Sequence, residues 1–295
     1  MSVPSIFEPS DPPARQRRFA ISKRATWLTW SGEFRRFLGE WSRYAQRSPP
    51  PGKKLVGSLR PYGETFWHRV DERSGLGAAL RGFTNALMRG VDLGALLFFD
   101  RMLDAGTTRT SIHLLFAAMR DEIAAALGDR RAALYNPLGS FGKNEGGFPL
   151  HADLYAPRFL FNIFDEVPND GSGAAIFLSV DELPGLLSTV ASLPRQVRMR
   201  ILACQRRVVT DDRYDEFYGL LHDALHPWWG DLRARFRKAQ LTMPFERGQG
   251  YLLDDRRWLH GRLKPTGGVT QNRIHRLIFD SRRTAAARRR ELNAI

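Results

Sequence analysis

Apolar side chains recur at helical spacing in the first half of the chain. Over residues 27–41, large apolar residues lie three or four positions apart, which predicts a helix. Further helical stretches are predicted over about 76–104 and 111–127, and the latter ends at Gly128, a residue type that commonly terminates helices. We therefore expect residues 25–130 to be mostly helical support.

Beyond residue 130 the pattern changes to short segments that are rich in aromatic and β-branched residues and separated by Gly, Pro, Asn and Asp. This pattern is typical of strands and turns. Helical spacing returns between about 184 and 240. The chain is therefore predicted to be mainly β with flanking helices, as a single domain over 25–295, with its β core over 131–283 and a helical insertion over 184–240. Strands are predicted at 134–136, 150–155, 159–164, 174–179, 242–245, 250–254 and 274–280.

The chain is basic, and much of the excess charge lies at its two ends. Lys and Arg number 45 against 31 Asp and Glu, a formal net charge of +14. Residues 1–24 are rich in Pro, Ser and Arg and are expected to be poorly ordered, and residues 284–295 form a basic C-terminal tail. Such a charge suits an acidic small molecule, a nucleic acid or an anionic membrane. Its position at the ends does not favour nucleic acid over an acidic small substrate.

The composition bears on where the protein is found and on which metal sites it can form. No apolar run approaches the roughly 20 residues that span a bilayer. The first residues lack the basic start and apolar stretch of a signal peptide. The single cysteine, Cys204, cannot form an internal disulfide and excludes a cysteine-rich metal site. We expect a cytoplasmic protein that does not enter a membrane.

Two histidines and a carboxylate form the candidate chemical centre. His151 and Asp153 lie two residues apart on a predicted strand, so their side chains share one face. His260 follows a later predicted strand. Two histidines and one carboxylate on one face of a metal, with the other positions open, are typical of non-heme Fe(II) oxygenases. The sequence therefore predicts a metal site formed by His151, Asp153 and His260.

These residues carry a resemblance to a known family. The His151-x-Asp153 pair, the later run His260-Gly261-Arg262 and Arg273, thirteen residues beyond His260, resemble the Fe(II)/2-oxoglutarate-dependent dioxygenase superfamily. Residues 258–262 are similar to its taurine-dioxygenase and clavaminate-synthase-like branch. The run from Arg273 to His275, followed by Asp280, resembles the aspartyl and prolyl hydroxylases instead. The resemblance covers roughly residues 131–283.

The resemblance implies a fold and a reaction. The fold would be a double-stranded β-helix, the jelly-roll architecture also found in cupins. His151, Asp153 and His260 would hold Fe(II), with 2-oxoglutarate and O2 as co-substrates. The reaction would hydroxylate an unactivated C–H bond and release succinate and CO2. The carboxylate of Asp153 argues against halogenation, whereas desaturation, ring formation and demethylation stay open.

An arginine is expected to grip the distal carboxylate of 2-oxoglutarate through two parallel hydrogen bonds. Arg273 and Arg276 have opposite parity on a regular strand, so only one should face the site unless a bulge intervenes. The resemblance favours Arg273 by its offset from His260. Arg276 could instead bind 2-oxoglutarate or anchor an acidic group of the substrate.

Three function classes follow from this sequence. The favoured one is a hydroxylase of a small molecule, either an amino acid or a natural-product intermediate. The second is a 2-oxoglutarate oxygenase acting on nucleic acid or protein, which would use the basic surface. The third is a non-oxygenase cupin-like binding protein or isomerase, which would need neither 2-oxoglutarate turnover nor Arg273.

Overall fold

The fold consists of two β-sheets flanked by helices. The computed structural model describes residues 5–13, 25–47, 74–91, 94–104, 107–138, 147–153, 157–168, 172–204, 229–266 and 273–293. The α-helices of these residues are α1 (Gly32–Arg47), α2 (Gly75–Gly90), α3 (Arg109–Leu127), α4 (Leu183–Ser188), α5 (Arg195–Cys204), α6 (Trp229–Ala239) and α7 (Arg282–Asn293). None of these described helices is long and apolar enough to cross a membrane.

The strands divide into a large sheet and a small sheet. They are β1 (Phe7–Pro9), β2 (Ala25–Trp30), β3 (Leu96–Phe99), β4 (Ala133–Leu138), β5 (Phe148–His151), β6 (Phe159–Glu166), β7 (Ala175–Ser179), β8 (Leu241–Met243), β9 (Gly250–Asp254), β10 (Trp258–Arg262) and β11 (Arg273–Phe279). The large sheet has the order β1-β2-β3-β9-β6-β11-β4, and the small sheet has the order β5-β10-β7-β8. Every pairing among these described strands is antiparallel except that of β2 with β3.

Alternation along the strands builds three apolar clusters. On β6, Phe161 faces helices α1 to α3, whereas Leu160 faces the small sheet. On β10, Trp258 lies in the cluster between the sheets, and Leu259 packs outward against the insertion helices. Successive strand residues point to opposite faces, so both sheets are covered on both sides. The space between the two sheets is the one into which the candidate metal ligands project.

The helix predicted over 27–41 begins later than the spacing of its apolar residues indicates. Trp27 and Trp30 lie in β2, which pairs with β1 and β3, and α1 starts at Gly32. The hydroxyl of Ser31 accepts a hydrogen bond from the Phe34 amide at 3.1 Å and so caps the helix. Apolar residues three and four positions apart occur both in a helix and in a strand that is followed by a helix. Here pairing of β2 with β1 and β3 makes residues 27–30 a strand.

The predicted helical stretch over 76–104 is also divided. Helix α2 ends at Gly90, and the apolar run Leu96–Phe99 forms β3 between β2 and β9. Short apolar runs are compatible with either a buried helix or a buried strand. By contrast, α3 agrees with the predicted 111–127 within two residues, and Gly128 follows it with a φ of 62°.

The two ends and the insertion carry further regular structure. Strand β1 lies within the segment 1–24 that was expected to be poorly ordered, and α7 covers most of the basic tail. Within the expected insertion at 184–240, the structure describes α4, α5 and α6. Residues 205–228 of the insertion lie outside the described residues.

Candidate metal centre

Pairing of β5 with β10 brings the two predicted histidine ligands together. His151 and His260 are direct partners in the antiparallel register, and their ring centroids lie 4.6 Å apart. Asp153 follows two residues after β5 and completes the group. One ligand atom from each of the three residues lies within 4.8 Å of the others. The structure therefore places all three predicted ligands in one cluster between the sheets.

Hydrogen bonding selects the ligand atoms of this cluster. The Pro149 carbonyl can only accept, so Nδ1 of His151, 2.8 Å away, donates to it and Nε2 becomes the atom available to a metal. That Nε2 lies 3.5 Å from Oδ1 of Asp153. Nε2 of His260 is buried and makes no hydrogen bond within the described part of the chain, although Asp255 Oδ1 is 3.3 Å away. A buried, unsatisfied imidazole nitrogen facing a carboxylate fits a metal ligand.

Close backbone contact fixes the spacing of the two histidines. A Cβ at Gly261, the residue after His260, would lie 2.6 Å from the Phe148 carbonyl oxygen and 2.7 Å from that of Pro149. The register of β5 and β10 also shifts between residues 260 and 262, which indicates a bulge. Only glycine allows the two strands to approach this closely at the ligand positions.

Arg276 enters the site from the large sheet. Its Nη1 donates to Asp153 Oδ2 at 2.6 Å, and its Nε donates to Asn162 Oδ1 on β6 at 3.0 Å. Arg276 has the same parity as Ile274 and Ile278, which pack between the sheets. Residues of the opposite parity on β11, such as Leu277, face the helices. The structure therefore brings Arg276 to the candidate metal ligands.

Arg273, the arginine favoured from the sequence, lies at the start of β11. Its backbone pairs with Glu166, and the register shifts between Arg273 and Ile274 because β6 contributes one extra residue there. Along β11, Arg273 lies two and four positions before His275 and Leu277. Its side chain lies outside the described residues.

The charges of the cluster stabilise one another. Burial alone would raise the pKa of Asp153, yet the hydrogen bond from His151 and the charge of Arg276 outweigh it and hold that pKa well below its usual range. For His151, burial opposes protonation, but hydrogen bonds to Asp153 and the Pro149 carbonyl outweigh it and raise the pKa. Asp153 is therefore an anion at neutral pH, as a carboxylate must be to bind a metal.

Three further residues of the site were not assigned firm roles from the sequence. Asn162 is fully buried and binds Arg276, and it could have been noticed as the single amide in the apolar strand β6. Burial raises the pKa of Tyr251 to about 12, and the nearby charges of Arg276 and Asp153 act on it in opposite directions. Asp255 lies beside both His260 and Asp153. Its Oδ1 accepts a hydrogen bond from the backbone amide of Asp153 at 3.3 Å.

Comparison with known proteins finds similarity among solved structures. No protein family matches this chain, and no curated protein matches it. A structure of asparagine oxygenase with Fe(II), 2S,3S-3-hydroxyasparagine and succinate is similar at 12% identity, covering 88% of this chain and 96% of that chain with a TM-score of 0.40. The non-heme iron oxygenase OrfP with Fe and L-homoarginine is similar at 12% identity, covering 86% and 94% with a TM-score of 0.40.

A third similar structure is PvcB of Pseudomonas aeruginosa, an Fe, alpha-ketoglutarate dependent oxygenase. It shares 14% identity over 62% of this chain and 75% of that chain, with a TM-score of 0.35. Identities and TM-scores this low transfer no residue role to this chain.

Proposed function

We propose that this chain is an Fe(II)- and 2-oxoglutarate-dependent dioxygenase that hydroxylates an unactivated C–H bond of a small molecule. The strand order supports a double-stranded β-helix for its core. Eight consecutive strands, β4 to β11, are divided between the sheets as β4-β11-β6-β9 and β5-β10-β7-β8. The chain thus passes repeatedly between two facing antiparallel sheets, as jelly rolls do.

The observation that carries the proposal is the cluster of His151, Asp153 and His260. Its two imidazoles and one carboxylate lie within 4.8 Å of one another at the ligand atoms. This donor set suits Fe(II) with positions left open, whereas structural zinc sites usually have four protein ligands. When bound, Fe(II) would supply the redox chemistry that couples O2 and 2-oxoglutarate to oxidation of a C–H bond, with release of succinate and CO2.

The protein's own residues would orient this chemistry. The Pro149 carbonyl keeps the proton of His151 on Nδ1, and Asp255 holds the backbone of Asp153. Tyr251 stays neutral beneath the site because its pKa lies at about 12. The cluster is sheltered from bulk water on one side, since the His260 side chain is 5% exposed, and open on the other, where His151 is 27% exposed. A substrate would therefore approach on the side of His151.

Arg276 is the better candidate for the distal carboxylate of 2-oxoglutarate. Its guanidinium lies between the sheets beside the candidate metal ligands, and Asn162 Oδ1 holds its Nε. A guanidinium can bind a carboxylate through two parallel charge-assisted hydrogen bonds, and that of Arg276 already meets the carboxylate of Asp153 here. Arg273, the arginine that the sequence favoured, stays the other candidate. The small substrate itself, an amino acid or natural-product intermediate, stays a proposal from the sequence.

The decisive experiment measures metal binding and 2-oxoglutarate turnover together. Metal-free protein would be reloaded anaerobically with Fe(II) and given 2-oxoglutarate and O2, and succinate would be measured. Asp153→Asn is expected to abolish metal binding and succinate formation. The matched control is Asp231→Asn, which makes the same change at an exposed position of α6 and is expected to leave both unchanged.

The alternatives give different results in the same experiment. The complex of Fe(II) with 2-oxoglutarate is expected to give a charge-transfer absorption band. If the protein bound Fe(II) but gave neither this band nor succinate, the result would support the cupin-like binding protein or isomerase. Failure of the wild-type protein to bind a divalent metal would contradict the whole proposal. Turnover stimulated only by nucleic acid or protein would support an oxygenase of macromolecules.

The two arginines can be separated by one substitution made at each position. Arg276→Gln is expected to weaken 2-oxoglutarate binding by about tenfold or more, since a charge-assisted bidentate contact is lost. Arg273→Gln, the same change on the same strand, is expected to have little effect. Isothermal titration of 2-oxoglutarate into Mn(II)-loaded protein measures both. A loss confined to Arg273→Gln would instead support the assignment that the sequence favoured.

A further inference from the structure

A chain of polar side chains lies behind strand β11, on the face of the large sheet that packs against the helices. It runs from Asp165 on β6 through His275 on β11 and Tyr135 on β4 to His113 on α3, and together these four residues form the His275 network. Asp165, His275 and Tyr135 are buried, each 2–3% exposed. The proposed oxygenase chemistry uses none of the four residues.

Short distances join the members of the His275 network in order. Nε2 of His275 lies 3.6 Å from Asp165 Oδ2, and Nδ1 of His275 lies 3.1 Å from the Tyr135 hydroxyl oxygen. The same hydroxyl shares a hydrogen bond with Nδ1 of His113. The two imidazole rings meet edge to face, with their centroids 4.7 Å apart. The network therefore ties α3 to the three adjacent strands β6, β11 and β4.

The donors and acceptors of the His275 network give it one direction. Arg247 donates to Asp165 Oδ1 at 3.4 Å, a contact that is complementary to an ionised carboxylate. An ionised carboxylate only accepts, so it keeps the proton of His275 on Nε2. Nδ1 of His275 then accepts from the Tyr135 hydroxyl, and the oxygen of that hydroxyl accepts from Nδ1 of His113. Each group therefore has one defined role.

The network opposes a shift in the register of β11. His275 and Arg276 are neighbours on this strand, so their side chains lie on opposite faces of the large sheet. A shift by one residue would turn Arg276 towards the helices and His275 towards the site. The apolar residues Ile274, Leu277 and Ile278 would be buried in either register, because both faces of the sheet are covered. The polar contacts of His275 would be lost in the shifted register, and they therefore select the observed one.

We propose that His275 is a positioning residue for Arg276. Its contacts on the helical face of β11 fix the register, and that register brings Arg276 to Asp153 on the other face. The proposal rests on the proposed function only where it concerns 2-oxoglutarate, whose distal carboxylate Arg276 would bind. The position of Arg276 itself can be measured without iron and without 2-oxoglutarate.

The first experiment removes one hydroxyl from the network and observes Arg276 by NMR in the isotope-labelled full-length protein. The Nε–H of Arg276 is buried and donates to Asn162, so we expect a resolved resonance, assigned by its loss in Arg276→Lys. Tyr135→Phe is expected to shift this resonance or to broaden it beyond detection. Tyr44→Phe removes a hydroxyl from a partly buried tyrosine of α1 and should leave the resonance unchanged. The same result for both variants would overturn the proposal.

The same NMR sample tests the direction of the network. Long-range correlations to the imidazole nitrogens are expected to show the proton of His275 on Nε2 and a proton on Nδ1 of His113. A proton on Nδ1 of His275 would reverse its hydrogen bond with Tyr135 and would overturn the network as proposed.

A second experiment measures the consequence for binding of the co-substrate, by calorimetric titration of 2-oxoglutarate into Mn(II)-loaded protein. Tyr135→Phe is expected to weaken 2-oxoglutarate binding by about threefold or more. The affinity for Mn(II) should stay within about twofold of wild type, because His151 and His260 lie on the small sheet. Equal losses of both affinities would show a general structural role and would contradict positioning of Arg276.

A substitution of the histidine itself should have the larger effect. His275→Leu keeps a buried side chain and removes every polar contact of the imidazole, so we expect 2-oxoglutarate binding to weaken by about tenfold or more. A smaller effect than that of Tyr135→Phe would reject His275 as the positioning residue. If the wild-type protein bound Mn(II) but not 2-oxoglutarate, the proposed function would fail, and the Arg276 resonance would decide the positioning role on its own.

Discussion

A proton and the metal would compete for the imidazole of His151, and this competition would make metal binding depend on pH. The metal requires a neutral imidazole, and hydrogen bonds to Asp153 and Pro149 raise the pKa of His151 above its ordinary 6.5. Protonation therefore begins at a higher pH than for a free histidine. We expect Co(II) affinity to fall as the pH is lowered from 8 to 6, through the raised pKa of His151.

Asp153 makes no contribution to that pH dependence, since its pKa lies well below this window. Spectroscopic titration with Co(II) at several pH values measures the trend. An affinity that is constant between pH 8 and 6 would contradict the role of His151 as a ligand.

Tyr251 should make the protein less stable at high pH. Its pKa is about 12 in the folded protein and about 10 when unfolded, so between these values the folded state keeps a proton that the unfolded state has lost. Stability then falls as the pH rises, by up to about 3 kcal/mol for this group. Denaturant unfolding of wild type and Tyr251→Phe at pH 9 and 11 measures the difference. The variant should lose less stability over this interval, and an identical loss would show that Tyr251 ionises normally.

At the residue level, the sequence predicted three candidate ligands, which the structure brings together, but not the contacts around them. His151 and Asp153 were predictable because alternation on a strand fixes which side chains share a face. The choice between Arg273 and Arg276 depended on which row of β11 faces inward, and that depends on the pairing of β11 with β6. Asn162 comes from a strand distant in sequence, so only the folded sheet shows that it holds Arg276.

At the level of the strands, Gly261 controls how β5 and β10 hold the two histidines. Gly261→Ala would place a Cβ against the backbone oxygens of Phe148 and Pro149, and the strands would have to separate. We expect a loss of about 2–4 kcal/mol in unfolding free energy and a metal affinity at least about tenfold weaker. Chemical denaturation and Co(II) titration measure the two effects.

The control for this substitution is Gly185→Ala in α4. No atom would lie within 4 Å of a Cβ at Gly185. This variant should keep its metal affinity and gain slightly in stability, because alanine favours helices over glycine. If both alanine variants behaved alike, close approach at Gly261 would not be what positions the ligands.

Element boundaries were predictable where local signals agreed with tertiary pairing. Helix α3 has a Thr108 cap and a terminal glycine, and its span was close to the predicted one. Strands β2 and β3 were predicted as parts of helices, since their aromatic and leucine-rich runs fit either structure. Pairing with β1 and β9, which no local pattern shows, decides in favour of strands.

At the level of the whole molecule, strand β1 covers one edge of the large sheet. Its Phe7 ring lies 4.7 Å from the Phe99 ring and 5.4 Å from the Trp30 ring, and the Ile6 carbonyl accepts from the Ser31 amide. Deletion of residues 1–10 should lower the melting temperature by roughly 5 °C or more, since removal of the buried Ile6 and the partly buried Phe7 costs about 2 kcal/mol. The exposed edge of β2 should also promote self-association.

The control for the deletion is Phe7→Ala, which removes the ring and keeps the strand. It is expected to lower the melting temperature without self-association. Calorimetry and light scattering measure the two properties. A deletion variant that melts as wild type does would show that β1 adds nothing to the large sheet.

The outermost position of β5 in the small sheet has a consequence for how the protein would acquire and lose its metal. Among the described strands, β5 pairs with β10 alone, so it can fray without unfolding the rest of the sheet. Fraying would carry His151 away while His260 stayed in place on its inner strand. The metal would then exchange at the rate at which β5 opens locally, without unfolding of the whole protein. A single folded molecule could therefore gain or lose iron as the concentration of free iron changes.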